Sequence, residues 1–229
     1  MTKVSTMFST MRLCLLGSLA LLIFATGPAS AIPAQDVKVP EEAEAKTGVQ
    51  KGLDFSRTAA YKREFAEAIR SARQSCKKHR GESYMALVSD IDETLLDNRE
   101  FFRAHPQFKQ PEFRAWIATG RASLLKPTAE LLSWARQHGF AIFLVTGRRE
   151  GERAPTISNL VRERIAYDGL YMRPDGDERP AAQVKPELRQ QIEKLGFKIV
   201  VSIGDQWSDL TGGHAEDCEK IPNQMYFIR

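Results

Sequence analysis

Short apolar runs alternate along this chain with longer stretches in which apolar residues return every three or four positions. The runs at 84–88 (Tyr-Met-Ala-Leu-Val), 140–145 (Phe-Ala-Ile-Phe-Leu-Val), 169–172 and 198–203 have the length and continuity of strands buried on both faces. Residues 225–228 read as a last short strand. A helix is predicted over 56–79, where Tyr61, Phe65, Ala68, Ile69, Ala72 and Cys76 share one face and Gly81 closes the element. Further helices are predicted over 127–138, between a leading Pro and Gly139, and over 155–165 and 187–196, the last opened by Pro186-Glu187. Strands alternating with helices imply an α/β fold, a parallel sheet with helices on both faces. Right-handed crossovers then bring the strand ends to one edge of that sheet. Residues 98–121 follow neither period and are rich in aromatics: Phe101, Phe102, Phe108, Phe113 and Trp116.

The ends of the chain add a destination. Lys3 and Arg12 precede an apolar stretch from Leu13 to Ala25, and Ala29-Ser30-Ala31 follows it. This is the pattern of a secretory signal peptide over residues 1–31, cleaved after Ala31. The stretch is shorter than the roughly 20 residues a membrane span needs, so no stable membrane anchor is expected after cleavage. Cys14 opens the apolar stretch instead of following it, a poor position for lipidation. The product would be periplasmic or secreted, where a bridge between Cys76 and Cys218 is permitted. Residues 32–54, rich in Pro, Glu, Lys and Ala without an apolar period, read as a mobile lead-in, and 55–229 as one domain. The formal charge of +4 includes Lys3 and Arg12, so cleavage leaves 4 − 2 = +2, too small a surplus for a nucleic acid polymer as partner.

The chemistry gathers where the apolar runs end. Asp90 and Asp92 follow the first run, two residues apart, and strand alternation lets both leave the same way. Carboxylates that close repel unless a cation or a shared proton relieves them. The second run ends in Thr146-Gly147-Arg148, a hydroxyl and a Gly suited to close backbone approach to a phosphate, or simply to a turn. The fourth run ends in Gly204-Asp205-Gln206-Trp207-Ser208-Asp209, with two acids that suit either a hard metal ion or the start of a helix. Lys185, by itself, reads as a solvated charge.

In this order the motifs resemble the haloacid dehalogenase (HAD) superfamily. Residues 89–98 (Ser-Asp-Ile-Asp-Glu-Thr-Leu-Leu-Asp-Asn), 204–210 and the ending 221–227 are similar to the class B and C acid phosphatases and the plant acid phosphatase and vegetative storage protein group, subfamily IIIB. The resemblance implies a HAD-like Rossmannoid fold with central strand order 5-4-1-2-3 and no large cap domain. It implies Asp90 as nucleophile on phosphorus and Asp92 as general acid, then base. It implies Thr146 and Gly147 on a phosphoryl oxygen and Lys185 neutralising nucleophile and phosphate. The cofactor implied is Mg²⁺, held by Asp90, the Asp92 backbone carbonyl, Asp205 and Asp209. Asn98 would touch the site. Phe101 and Phe102 would wall a leaving-group pocket, or else pack in the core.

The expected function is a Mg²⁺-dependent acid phosphatase acting on a small phosphate ester through an aspartyl-phosphate. A dianionic ester repels an attacking carboxylate, so a cation and an ammonium beside it make chemical sense. Halide displacement has no alkoxide to protonate and would not need Asp92. The alternatives are a non-catalytic storage or binding relative of the same fold, or a phosphotransferase.

Overall fold

The computed structural model describes residues 37–228. The signal peptide expected over 1–31 lies outside the described residues. Among them, no helix is long and apolar enough to cross a membrane.

The helices are α1 (Val49–Phe55), α2 (Ala59–Lys78), α3 (Arg99–Ala104), α4 (Gln110–Thr119), α5 (Lys126–Gln137), α6 (Arg153–Arg162) and α7 (Ala181–Lys194). The strands are β1 (Met85–Ser89), β2 (Leu96–Asp97), β3 (Ser123–Leu124), β4 (Ala141–Arg149), β5 (Gly169–Arg173), β6 (Lys198–Gly204) and β7 (Asp217–Lys220). Five strands form one parallel sheet in the order β5-β4-β1-β6-β7, while β2 and β3 pair separately as an antiparallel ribbon. Numbered among themselves in chain order, the five sheet strands run 5-4-1-2-3, as the resemblance implies.

Alternation along the strands sorts the core into two layers. Ala86, Val88, Phe143, Val145 and Ile199 face one side, where Val184, Leu188 and Ile192 of α7 cover them. Leu87, Ile142, Leu144, Val201 and Ile203 face the other, against Ala72 and Cys76 of α2 and Leu131, Leu132 and Ala135 of α5. The central strands are apolar on both faces because helices cover both. Between β1 and α5 there is no large cap, only α3, α4 and the β2-β3 ribbon.

Several expectations need correction. The last sheet strand is β7, not 225–228. An edge strand reading Asp-Cys-Glu-Lys carries no apolar alternation to betray it, and charge is how edge strands avoid further pairing. Residues 225–228 instead form a strap. Met225 closes on Gly52, where an added Cβ would lie 2.3 Å from the Met225 nitrogen, and the Gln224 carbonyl accepts from the Gly48 N–H at 2.8 Å. Residues 49–54, placed in the lead-in by composition, form α1 together with Phe55, with Gly52 and Leu53 buried; seven residues are too few to show a periodic face. Helix α7 begins at Ala181 behind Pro180, so Lys185 and Pro186 lie inside it. The aromatic stretch 98–121 folds into α3 and α4.

Cys76 packs in one core layer and Cys218 against the other, so the sheet separates them, and both thiols are free. Reductant is therefore expected to leave the urea midpoint of the purified protein unchanged. A fall equivalent to about 2–5 kcal/mol, the loss typical of a broken bridge, would contradict this arrangement.

Candidate active site

Continuing the alternation of β1 past Ser89 puts Asp90 on the face of Val88, toward α7. There Lys185 of α7 donates to Asp90 Oδ1 at 2.8 Å. The same ammonium donates to Asp209 Oδ1. The Asp90 N–H bonds the Ile203 carbonyl at 2.9 Å, which ties the end of β1 to the end of β6. Asp205 follows that end directly. Its Oδ1 accepts from Thr94 Oγ1 at 3.2 Å, and its Oδ2 from Gln206 Nε2 at 2.6 Å and Asn223 Nδ2 at 2.7 Å. Lys220 donates to the Asp205 backbone carbonyl.

Asp209 returns over the strand end through a short 3₁₀ turn, where its Oδ2 accepts from the Gln206 N–H at 2.8 Å. The return is tight: a Cβ on Gly204 would lie 2.2 Å from the Asp209 Cβ. Behind the turn, buried Arg189 donates to the carbonyls of Asp209 at 2.8 Å, Gly213 at 3.0 Å and Thr211.

Asp90, Asp205 and Asp209 are all buried, and one carboxylate oxygen from each lies within 4.8 Å of the others. Burial, then the charge of Asp209, pushes the Asp90 carboxyl well above the ordinary aspartate value, against the pull of Lys185. Burial and Asp209 likewise raise Asp205. Lys185 is the reverse case: burial disfavours its charge, but Asp209 and Asp90 hold its pKa above the ordinary value.

Asp92 turns to a different partner. Arg148 donates to its Oδ1 from Nη2 at 2.6 Å and to its Oδ2 from Nε at 3.0 Å, and Asn98 Nδ2 donates to Oδ1 at 2.8 Å. Burial would raise this carboxyl, yet the guanidinium and these hydrogen bonds hold it below the ordinary value. Two carboxylates of one motif thus have opposite electrostatic environments. The Asp92 carboxylate does not join the three-acid cluster.

Thr146 is buried within β4, its Oγ1 accepting from the Arg148 N–H at 3.2 Å, and Gly147 beside it is exposed. The β4-β5 register shifts between Thr146 and Arg149, so the chain breaks its ladder at this turn. Asn98 is fully buried and its Nδ2 donates to Asp92. Phe101 and Phe102, each 1% exposed, belong to the core instead of facing an open wall. They pack with each other at 5.3 Å and with Phe113 at 5.1 and 6.1 Å, because large rings carry most of the buried area in this segment.

Several residues at the site had no role in the sequence reading. Arg148 stands in the quoted Thr-Gly-Arg run, and Asn223 and Tyr226 in the quoted ending. Nothing in local spacing shows that Arg148 meets Asp92 across 56 positions or that Tyr226 donates to Glu93 Oε2 across 133.

The profile of the HAD superfamily, subfamily IIIB (Acid phosphatase), matches residues 29–229. Acid phosphatase 1 of Solanum lycopersicum is 36% identical over 148 residues, 62% of this chain and 58% of that protein. The stem 28 kDa glycoprotein of Glycine max is 31% identical over 151 residues, 62% of this chain and 59% of that protein. Vegetative storage protein 2 of Arabidopsis thaliana is 25% identical over 147 residues, with 62% and 56% covered. The chain therefore spans less than two thirds of the length of these plant relatives. The class C acid phosphatase from Bacillus anthracis superposes with a TM-score of 0.64 at 21% identity, over 78% of this chain and 85% of that one, a likeness of fold.

Substituting Gly204→Ala is expected to displace Asp209 and lower stability by about 1–3 kcal/mol, read from the urea midpoint. An unchanged midpoint would mean that the 204–209 turn is not closed as described.

Proposed function

The chain belongs to the HAD superfamily, subfamily IIIB (acid phosphatase), and from that membership we propose that it hydrolyses small phosphate monoesters through an aspartyl-phosphate on Asp90. The observation that carries the proposal is the cluster of three buried carboxylates past the strand ends, two of them bonded to one ammonium. A lone turn of acids at a protein surface would not need this burial or this lysine.

The donor set fits a hard divalent cation. The oxygens are carboxylates, they are close, and burial with mutual repulsion leaves their negative charge under-compensated. Asp90, Asp205 and Asp209, with the Asp92 backbone carbonyl, would hold Mg²⁺. Bound there, the ion would supply positive charge between the nucleophile and the phosphate.

The residues divide the work as follows. Lys185, Thr146 Oγ1 and the Gly147 N–H bind and orient the phosphoryl oxygens. An Asp90 oxygen forms the new bond to phosphorus as the bond to the ester oxygen breaks, and Asp92 gives that oxygen its proton. Water then attacks phosphorus, its proton passes to Asp92, the phosphorus–Asp90 bond breaks, and inorganic phosphate leaves. Asp92 rests ionised beside Arg148, which suits the base role of the second half. The acid role of the first half requires proton uptake beforehand, which an acidic medium favours.

The tungstate-bound class C acid phosphatase from Bacillus anthracis supports the reading, since tungstate is a tetrahedral oxyanion like phosphate. The leader pattern supports a periplasmic or secreted destination, and the modest charge supports a small ester over a nucleic acid polymer.

Hydrolysis of p-nitrophenyl phosphate is expected to require divalent metal: EDTA abolishes it and Mg²⁺ restores it. Asp90→Asn is expected to lower kcat by at least about three orders of magnitude with the fold retained, and Asp205→Asn to weaken Mg²⁺ binding. A wild-type protein without turnover would support the storage-type alternative, and phosphoryl transfer to added glycerol in preference to water a phosphotransferase. An active Asp90→Asn variant would remove the nucleophile assigned here.

A further inference from the structure

Asp92 is oriented by a chain of hydrogen bonds that runs through Asn98 to Trp116, Glu93 and Tyr226. Its Oδ1 is occupied by Arg148 and by Asn98 Nδ2, and among the described residues Oδ2 has Arg148 Nε alone, at 3.0 Å. The direction of the Asn98 amide decides this pattern, and the amide is set from behind. Trp116 Nε1 donates to Asn98 Oδ1 at 2.8 Å. An indole N–H can only donate, so the amide oxygen must face Trp116 and its NH₂ must face Asp92.

The Asn98 backbone is fixed as well. Its N–H donates to Glu93 Oε1 at 2.8 Å, and Nδ2 also approaches Glu93 Oε2 at 3.4 Å. Tyr226, from the C-terminal strap, donates to Glu93 Oε2 at 2.6 Å. Glu93 adopts a φ of 56°, an uncommon conformation for a residue with a side chain. Such backbone persists where surrounding bonds over-determine it. Glu93, Asn98 and Trp116 are 4%, 0% and 8% exposed, so water does not substitute for these partners.

We propose that Asn98 is the positioning residue for the proton-carrying Asp92 oxygen, and that Trp116, Glu93 and Tyr226 act through it, setting how well the enzyme releases poor leaving groups. This rests on the phosphatase reading above. Asn98 orders the Oδ1 side of the carboxyl, so the Oδ2 side stays presented to the departing ester oxygen. An alkyl phosphate releases a strongly basic alkoxide and depends on that proton. p-Nitrophenyl phosphate releases a stabilised phenolate and depends on it little. Misplacement of the proton donor therefore acts on one substrate and spares the other, whereas general structural damage acts on both.

The test compares kcat/KM for glycerol phosphate and p-nitrophenyl phosphate in the wild type and in Asp92→Asn, Asn98→Ala, Trp116→Phe and Tyr226→Phe. This parameter reports the steps up to the first irreversible one, where the leaving group departs. In Asn98→Ala and Trp116→Phe, glycerol phosphate is expected to fall about tenfold or more and p-nitrophenyl phosphate less than about threefold. Asp92→Asn should show the same bias more strongly, and Tyr226→Phe more weakly. Near-UV circular dichroism checks the fold, and Tyr226→Phe, the smallest change, decides the matter if the other two variants unfold. Equal falls on both substrates, or no fall, with Asp92→Asn still biased, would overturn the positioning role alone. An inactive wild type, or an unbiased Asp92→Asn, would overturn the phosphatase assignment of Asp92 beneath it.

Discussion

Three carboxylates and one ammonium, all removed from water, set the terms for the rest of this structure. A buried carboxylate left without compensation is costly, and three with oxygens within 4.8 Å of one another are costlier. Lys185 meets two of them, and the third, Asp205, is met by hydrogen bonds from Thr94, Gln206 and Asn223. The surroundings are organised around keeping this charge in place. Gly204 makes room for Asp209, Arg189 holds the carbonyls behind it, and the segment leading into the strap delivers Asn223. Such a cluster makes physical sense where a cation and an anion are to be bound together.

The sheet supplies the division of labour between the two aspartates of the first motif. Asp90 continues the strand alternation toward α7 and its lysine, and its carboxyl is raised by burial and by Asp209. Asp92, past the strand, meets Arg148 and is lowered in spite of burial. Two neighbouring carboxyls of one motif thus sit in environments that push them apart, as groups with different chemical roles do. The positioning chain through Asn98, Trp116, Glu93 and Tyr226 joins the Asp92 side of the site to the C-terminal strap, as Asn223 joins the Asp205 side.

The central strands and most helices were legible in the sequence, because burial on both faces leaves continuous apolar runs and covering helices keep a strict period. Asp90, Lys185, Asp205 and Asp209 meet in one cluster, an arrangement the family resemblance implied and the setting of Lys185 alone did not. What was not legible lacked a local signature. The edge strand β7 is charged, α1 is too short for a period, and Pro186, which has the look of a helix opening, is tolerated inside α7. Phe101 and Phe102 were candidates for a pocket wall because aromatic composition does not tell packing from binding. Arg148, Trp116 and Tyr226 act through contacts across the chain that spacing does not encode.

The central claim is that the buried acids form one cation site beside the nucleophile. Its most direct test is a crystal of the protein soaked with Mn²⁺, a stand-in for Mg²⁺ that is visible by anomalous scattering. A single strong peak bounded by the carboxylates of Asp90, Asp205 and Asp209, lost in Asp205→Asn, is the predicted result. No peak there at saturating Mn²⁺, or one bound elsewhere on the chain, would contradict it.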